Sequence, residues 1–350
     1  VRSTVQRAVD LEPGLRALNP VLEPVAAGAA GQAPSIDRAV TGWYERRRYR
    51  AGDYGLDRLV AAKRELAVGV TVIIPTRQCA ETIAGVLDES VAPLQRRGLL
   101  DEVVVVDAAS VDGTAAVAAG AGARVSQQDE IRGDLGPALG KGDAMWRALQ
   151  ATSGGIVCFL DGDTADPAPD HLQGLLGPLL CDPTVQLVKG AFDRPLRAGE
   201  VSLAHEGGRV TELMARPLIN MHEPLLAGFA QPLAGEFAAR RWLLEAIPFP
   251  VGYGVEIAVM IDALRLVGLG GLAECNLGTR QNRHQPLRAL GEMAYAVLAA
   301  VEARRHDRAG EPAGRYLKPW DDATVSSIPV GERPPIAGLC AERRLRVRAS

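Results

Sequence analysis

The chain has 350 residues, 47% hydrophobic and 23% charged, with a formal net charge of −3. These values describe a globular protein with a sizeable core and exclude a general electrostatic attraction to nucleic acid or anionic membrane. With aromatics at 4%, the core has to be built from Ala, Val, Leu and Ile, and any anionic ligand has to be caught by a local site.

Residues 1–66 read as an N-terminal extension: an Ala/Gly/Pro-rich linker to about residue 35, then a helical region from Ile36 to Leu66. The opening VRSTVQRAVDLEPGL lacks the continuous apolar run of a signal peptide, and no stretch approaches the ~20 apolar residues of a membrane span. The cysteines Cys79, Cys158, Cys181, Cys275 and Cys340 are far apart and form no CxxC pair, which fits a reducing cytoplasm better than a disulfide framework.

From 67 to 184 strand and helix alternate. VGVTVIIP (68–75), DEVVVVDA (101–108), ARVSQQ and GIVCFLDGD (155–163) are strands, separated by helices such as ETIAGVLDESVAPLQRR and GDAMWRALQATS. Unalternating β-branched runs between helices predict a mostly parallel, doubly wound α/β sheet covered on both faces. In such sheets ligands bind beyond the carboxyl ends of the strands, which places Pro75, Asp107 and the Asp161–Asp163 pair on one edge. From 185 to 307 the rhythm changes. VQLVKGAFDRPL reads as a strand, and RVTELMARPLINM, GEFAARRWLLEAI and VEIAVMIDALRLVG read as helices. The apolar helices after residue 240 leave room for a homodimer interface. The stretch 308–350, rich in Pro, Gly and Arg, reads as a loosely packed tail.

Asp161-Gly162-Asp163 closes a buried strand with two like charges. Asp and Gly are ordinary turn residues, but a divalent cation such as Mg²⁺ or Mn²⁺ would remove the repulsion and bridge to phosphate oxygens. The position at the sheet edge favours the metal reading. Gly140-Lys141-Gly142 precedes a helix and suits either a phosphate contact or a plain helix start; the spacing is not that of a Walker A loop. Gly208, Arg209 and Thr211 in GGRVTEL offer amides, a guanidinium and a hydroxyl to a small phosphate or carboxylate, or else form a glycine turn with a surface arginine. Tyr253 and Glu256 lie in GYGVEI, where the acid either favours a helix start or accepts from sugar hydroxyls. NLGTRQNRHQP (276–286) is a polar loop carrying Arg280, Asn282 and His284.

Together, VIIP, VVDAASVDGT, GKGDAMWRAL, ATSGGIVCFLDGD, QLVKGAFDRPL, GGRVTELMARPL, QPLAGEF, GYGVEI and NLGTR resemble the glucosyl-3-phosphoglycerate and mannosyl-3-phosphoglycerate synthases. These are retaining glycosyltransferases of the GT-A fold, and the resemblance runs from about Val70 to Met293. It implies transfer of glucose or mannose from a GDP- or UDP-sugar to 3-phosphoglycerate, with a divalent metal, for compatible-solute synthesis. A lipid or polysaccharide acceptor is the alternative within the fold. Pro75, Thr76, Cys79, Asp107, Lys141, Asp161, Gly162, Tyr253, Glu256 and Arg280 would surround the nucleotide sugar, with Asp163, Glu256 and Lys141 at the chemistry. Gly208, Arg209, Thr211 and His284 would hold the acceptor, and Asp163 the metal.

Two departures stand out. The loop after the first strand normally reads PxxNEE, and here it is PTRQCAE, with Cys79 at the place of an acid that contacts the nucleoside; a guanosine sugar donor becomes the more plausible one. The family's metal histidine sits two residues after the arginine, where this chain has Asn282, with His284 two further on. Either the asparagine oxygen or His284 would ligate the metal.

Overall fold

The computed structural model describes residues 35–193, 196–198, 201–203, 208–280, 286–306, 313–318, 320–321 and 324–339. The linker before Ser35, Asn282, His284 and the arginines after residue 340 lie outside the described residues. Helix α1 (Ile36–Arg47), N-capped by the Ser35 hydroxyl accepting from the Arg38 amide, leads into strand β1 (Arg48–Arg50). Then follow α2 (Leu56–Glu65), β2 (Val70–Thr76), α3 (83–96), β3 (Glu102–Asp107), α4 (Thr114–Gly120) and β4 (Arg124–Gln127). Helix α5 (Lys141–Gln150), β5 (Ile156–Phe159), α6 (Pro169–Cys181) and β6 (Leu187–Asp193) complete the first half.

A hairpin of β7 (Leu196–Ala198) and β8 (Val201–Leu203) precedes α7 (209–222), β9 (Phe237–Arg240), α8 (Arg241–Ala246) and β10 (Phe249–Pro250). The remaining elements are α9 (Val255–Val267), β11 (Leu272–Thr279), α10 (Leu290–His306), β12 (Ala313–Lys318), β13 (Thr324–Pro329) and β14 (Glu332–Arg333).

The main sheet has the order β1-β11-β6-β9-β5-β2-β3-β4. Strand β9 is antiparallel to both neighbours, and the other strands run in one direction. The β-branched runs of β2, β3 and β5 are buried on both faces, as their lack of alternation requires. Burying each such Val or Ile contributes about 1.5–3 kcal/mol. One apolar cluster packs α5, α8 and α9 on one face of the sheet, and a second packs α3 and α6 on the other.

Four expectations change. The region before Val68 is helical over Ile36–Arg47 and Leu56–Glu65, but it is built into the main domain and not merely appended to it. Its β1 is the outer strand of the main sheet beside β11, and Trp43 of α1 is buried against Phe229 with its indole N–H donating to the Leu272 carbonyl at 2.7 Å. The segment GEFAARRWLLEAI is not one helix: Phe237–Arg240 is the strand wedged between β5 and β6, and only Arg241–Ala246 is helical. Sheet neighbours on both sides override the helical reading of its alanines. The described part of the tail is docked, since β14 pairs with β10 and Ile328 and Ile336 are buried. Helix α9, whose apolar length suggested a dimer interface, is buried from Val255 to Leu264 within this chain's own core.

Candidate active site

Because all strands of the main sheet but β9 are parallel, the carboxyl ends of β2, β3, β5, β6 and β11 share one edge. The starts of α5 and α9 and the turn entering β9 lie there too, as their contacts show. At this edge Lys141, the first residue of α5, reaches 3.0 Å from Asp161 Oδ1 and 2.9 Å from Glu256 Oε1, the latter in the first turn of α9. Burial by itself would lower the Lys141 pKa, but the two carboxylates more than reverse this and raise it, so the side chain is a held cation.

The glycines around Lys141 serve packing. A Cβ on Gly142 would sit 1.9 Å from the Pro250 carbonyl oxygen, and one on Gly140 would sit 2.8 Å from that of Val251. The Asp143 amide donates to Val251 O at 3.0 Å. Of the two readings of this motif, the helix start explains the glycines and the lysine supplies the charge.

The Asp161-Gly162-Asp163 turn is seated by Thr82, whose hydroxyl donates to Gly162 O at 2.7 Å. A Cβ on Gly162 would lie 2.7 Å from Thr76 Cγ2, so glycine lets this turn close on β2. Lys141 engages Asp161, while Asp163 stands half-buried at the rim. Carboxylate oxygens at such a rim suit a hard divalent cation completed by ligand phosphates. Among the described residues no three or more His, Cys, Asp or Glu form a metal cage. Asn282 and His284, expected to complete the set, lie outside them.

The loops after β2 and β3 are laced together. The amides of Gln78, Cys79 and Ala80 donate to Ser110 Oγ, Thr114 Oγ1 and Asp112 Oδ2 at 2.9, 2.8 and 3.0 Å. Asp107 is fully buried and accepts from the Thr76 hydroxyl at 3.1 Å and from the Ser110 amide and hydroxyl at 2.9 and 2.6 Å. It therefore fixes both loops from beneath. Cys79 is buried in the apolar cluster beside Ile83, and burial pushes its thiol up to about 11. Pro75 is half-buried at the end of β2.

On the other side of the edge, Gly208 takes a φ of +70°, a left-handed conformation that favours glycine, and its carbonyl accepts from the Glu212 amide at 3.0 Å. Arg209 is half-buried and Thr211 buried at the start of α7. Tyr253 is 45% exposed on a loop whose flanking glycines abut the Pro329 carbonyl and helix α10. Arg280 is buried, and its guanidinium donates to Glu236 Oε1 at 2.6 Å and leans on Asp166 at 3.9 Å.

Sequence reasoning passed over Lys189, Gly235, Glu236 and Arg333. Lys189 is buried in β6, and burial pulls its ammonium down to about 8. A charge inside the unalternating run VQLVKGAF was the signal that marked it. A Cβ on Gly235 would fall 2.3 and 2.5 Å from the Asp161 carboxylate oxygens and 2.6 Å from Lys141 Nζ, so the backbone there forms a wall of the site. Arg333 donates to both carboxylate oxygens of Asp143 at 2.8 Å.

The sheet with its antiparallel strand, and a Lys–Asp–Glu cluster beside a DxD turn at its carboxyl edge, define a glycosyltransferase of the GT-A fold. The glycosyl transferase family 2 model matches residues 71–218. The glucosyl-3-phosphoglycerate synthase of Mycolicibacterium smegmatis is 41% identical over 273 residues, covering 77% of this chain and 89% of that protein. The crystal structure of mannosyl-3-phosphoglycerate synthase from Rubrobacter xylanophilus superposes with a TM-score of 0.75 at 43% identity, over 86% of this chain and 98% of that one. That of glucosyl-3-phosphoglycerate synthase from Mycobacterium tuberculosis with Mn²⁺, UDP-glucose and phosphoglyceric acid gives 0.73 at 37%, over 84% and 98%. The chain belongs to this family of glucosyl- and mannosyl-3-phosphoglycerate synthases.

Proposed function

We propose that the protein transfers a hexose, glucose or mannose, from a nucleoside diphosphate sugar to 3-phosphoglycerate. The observation that carries this reading is Lys141 clasped between Asp161 and Glu256 beside the DxD turn, in a family whose M. tuberculosis member is solved with Mn²⁺, UDP-glucose and phosphoglyceric acid. Asp163 would hold the divalent metal, Mg²⁺ or Mn²⁺, completed by Asn282 or His284; when bound, the metal supplies positive charge against the sugar donor's diphosphate.

The chain's own residues do the rest. Departure of the nucleoside diphosphate develops negative charge on its terminal phosphate, and the ammonium of Lys141 offsets that charge as it grows. Asp161 and Glu256 keep the ammonium protonated and aimed. Pro75, Thr76 and the laced loops around Cys79 and Asp107 would form the nucleoside platform. Tyr253 and Glu256 would face the hexose, with Arg280 bracing the floor. Gly208, Arg209 and Thr211 would anchor the acceptor's phosphate, so that its hydroxyl is delivered to the sugar already oriented. On this reading 67–184 is the nucleotide-sugar half and 185–307 the acceptor half.

Two further proposals accompany it. Buried free thiols at Cys79, Cys158 and Cys275 support a reducing, cytoplasmic setting, and among the described residues no helix is long and apolar enough to cross a membrane. The exposed Leu213 and Met221 on α7 support a homodimer, which light scattering of the purified chain tests.

The deciding experiment is a donor screen of GDP-mannose, GDP-glucose and UDP-glucose with Mg²⁺, with and without 3-phosphoglycerate. Nucleoside diphosphate release that depends on 3-phosphoglycerate is expected. Equal release without the acceptor, or none with any sugar donor, overturns the reading.

A further inference from the structure

Lys189, 1% exposed, interrupts the apolar face of β6, and its ammonium donates to the Ala234 carbonyl at 2.5 Å while lying 4.9 Å over the Phe237 ring. Burying a cation is costly, and an apolar side chain would serve the strand pairing as well. What the lysine obtains is a hold on the 231–236 turn, which neighbouring strands do not supply at that carbonyl. Before the turn, Ala230 is fixed by its amide to Glu274 at 2.6 Å and by its carbonyl to Arg216 at 2.8 Å. At its end, Glu236 O accepts from the Gly190 amide at 2.9 Å just before β9 begins.

Between these anchors the turn touches both halves of the site. The Gly235 α-carbon lies against Asp161 and Lys141, as the short distances to a built Cβ show. At its other end Gln231 faces the acceptor loop, with its Oε1 3.9 Å from a Cβ built on Gly208. We propose that Lys189 is a positioning residue for sugar transfer, holding the 231–236 turn as the common wall between the sugar-donor and acceptor sites. The assignment rests on the function proposed above. Its ammonium also feels Glu256, Lys141, Asp161 and Glu236, so its charge belongs to the same electrostatic cluster. Displacing such a wall by about 1 Å is enough to cost on the order of 100-fold in rate.

The test uses the full chain with Lys189→Met, which removes charge and hydrogen-bond donor, and Lys189→Gln, which removes the charge but keeps an N–H donor on a side chain one bond shorter. Hydrogen exchange of the 231–236 amides is expected to quicken at least about tenfold in Lys189→Met, with β2 and β3 unchanged. The kcat should fall about 30-fold or more while KM for the sugar nucleotide stays within about threefold, and Lys189→Gln should recover part of both losses. Unchanged exchange in the turn, or a kcat within about twofold of wild type, overturns the assignment. So does exchange that rises across the whole sheet in both variants, because the lysine would then serve the fold at large. If only Lys189→Met unfolds, Lys189→Gln decides by the same two readouts. A wild-type chain inert toward every sugar donor refutes the function, while the exchange result still judges Lys189.

Discussion

Arg333 grips Asp143 with two nitrogens, each 2.8 Å from a carboxylate oxygen, and so ties the C-terminal strand β14 to the first turn of the helix that carries Lys141. Asp143 is wholly buried and is also met by Arg147 at 3.2 Å. The Trp146 indole adds a bond to Pro334 O at 2.9 Å. Arg333→Ala should destabilise the chain by about 2 kcal/mol, since a buried carboxylate loses one charged partner and two hydrogen bonds but keeps Arg147. Thermal denaturation checks this, with a melting temperature several degrees lower as the expected result.

Lys141→Met leaves Asp161 and Glu256 facing each other without their cation. Turnover should fall by about 10²–10³, the scale seen when one charge-stabilising group is removed from a transition state. Steady-state kinetics with the preferred sugar donor measures it. A loss under fivefold would separate the lysine from the leaving phosphate.

Asp163→Ala should abolish metal-dependent turnover with little loss of folding. Removing one of two neighbouring acids relieves repulsion in the metal-free chain. Activity titrated with Mn²⁺ and a melting curve in chelator, run side by side, give the two readouts; a melting temperature several degrees below wild type counts against the second.

Gly235→Ala puts a methyl group where the Asp161 carboxylate and the Lys141 ammonium already stand. The backbone of the 231–236 turn has to retreat, so kcat should drop at least about tenfold while the fold persists. Far-ultraviolet circular dichroism and kinetics on the same sample distinguish this from unfolding.

His171, on α6, is buried, and burial, with the nearby Arg280 charge, pulls its pKa down to about 4. Between the ordinary value near 6.5 and 4, the unfolded chain binds a proton that the folded chain refuses. The stability from this group is therefore complete above about pH 6.5 and is lost as pH falls toward 4. The loss between pH 7.5 and pH 5 should be about 2 kcal/mol. Urea unfolding of wild type and His171→Leu at both pH values should show the smaller decline in the variant.

Much of the fold was legible because burial on two faces leaves a plain mark: TVIIPT, EVVVVD and IVCF carry few polar residues, and β2 and β3 fall within two residues of their expected bounds. FAAR carried no such mark. Four residues with two alanines have no strand preference of their own, and β9 exists only because β5 and β6 pair with it on either side. The site divides in the same way. Asp161 and Lys141 were legible from their place at a strand end and a helix start. The Glu236–Arg280 pair and the Lys189–Ala234 bond were not, since each joins residues more than 40 positions apart through a turn whose path only the assembled sheet sets.

Strand β9 has a consequence for how the molecule comes into being. The 71–218 portion matched by the family 2 model ends before residue 237, so a nascent chain that has reached residue 218 has β5 and β6 but lacks the strand that pairs with both. The hydrogen-bonded continuity of the sheet, and with it the shared edge that carries Asp161 and Lys189's strand, is complete only once that later segment lies between the two flanks.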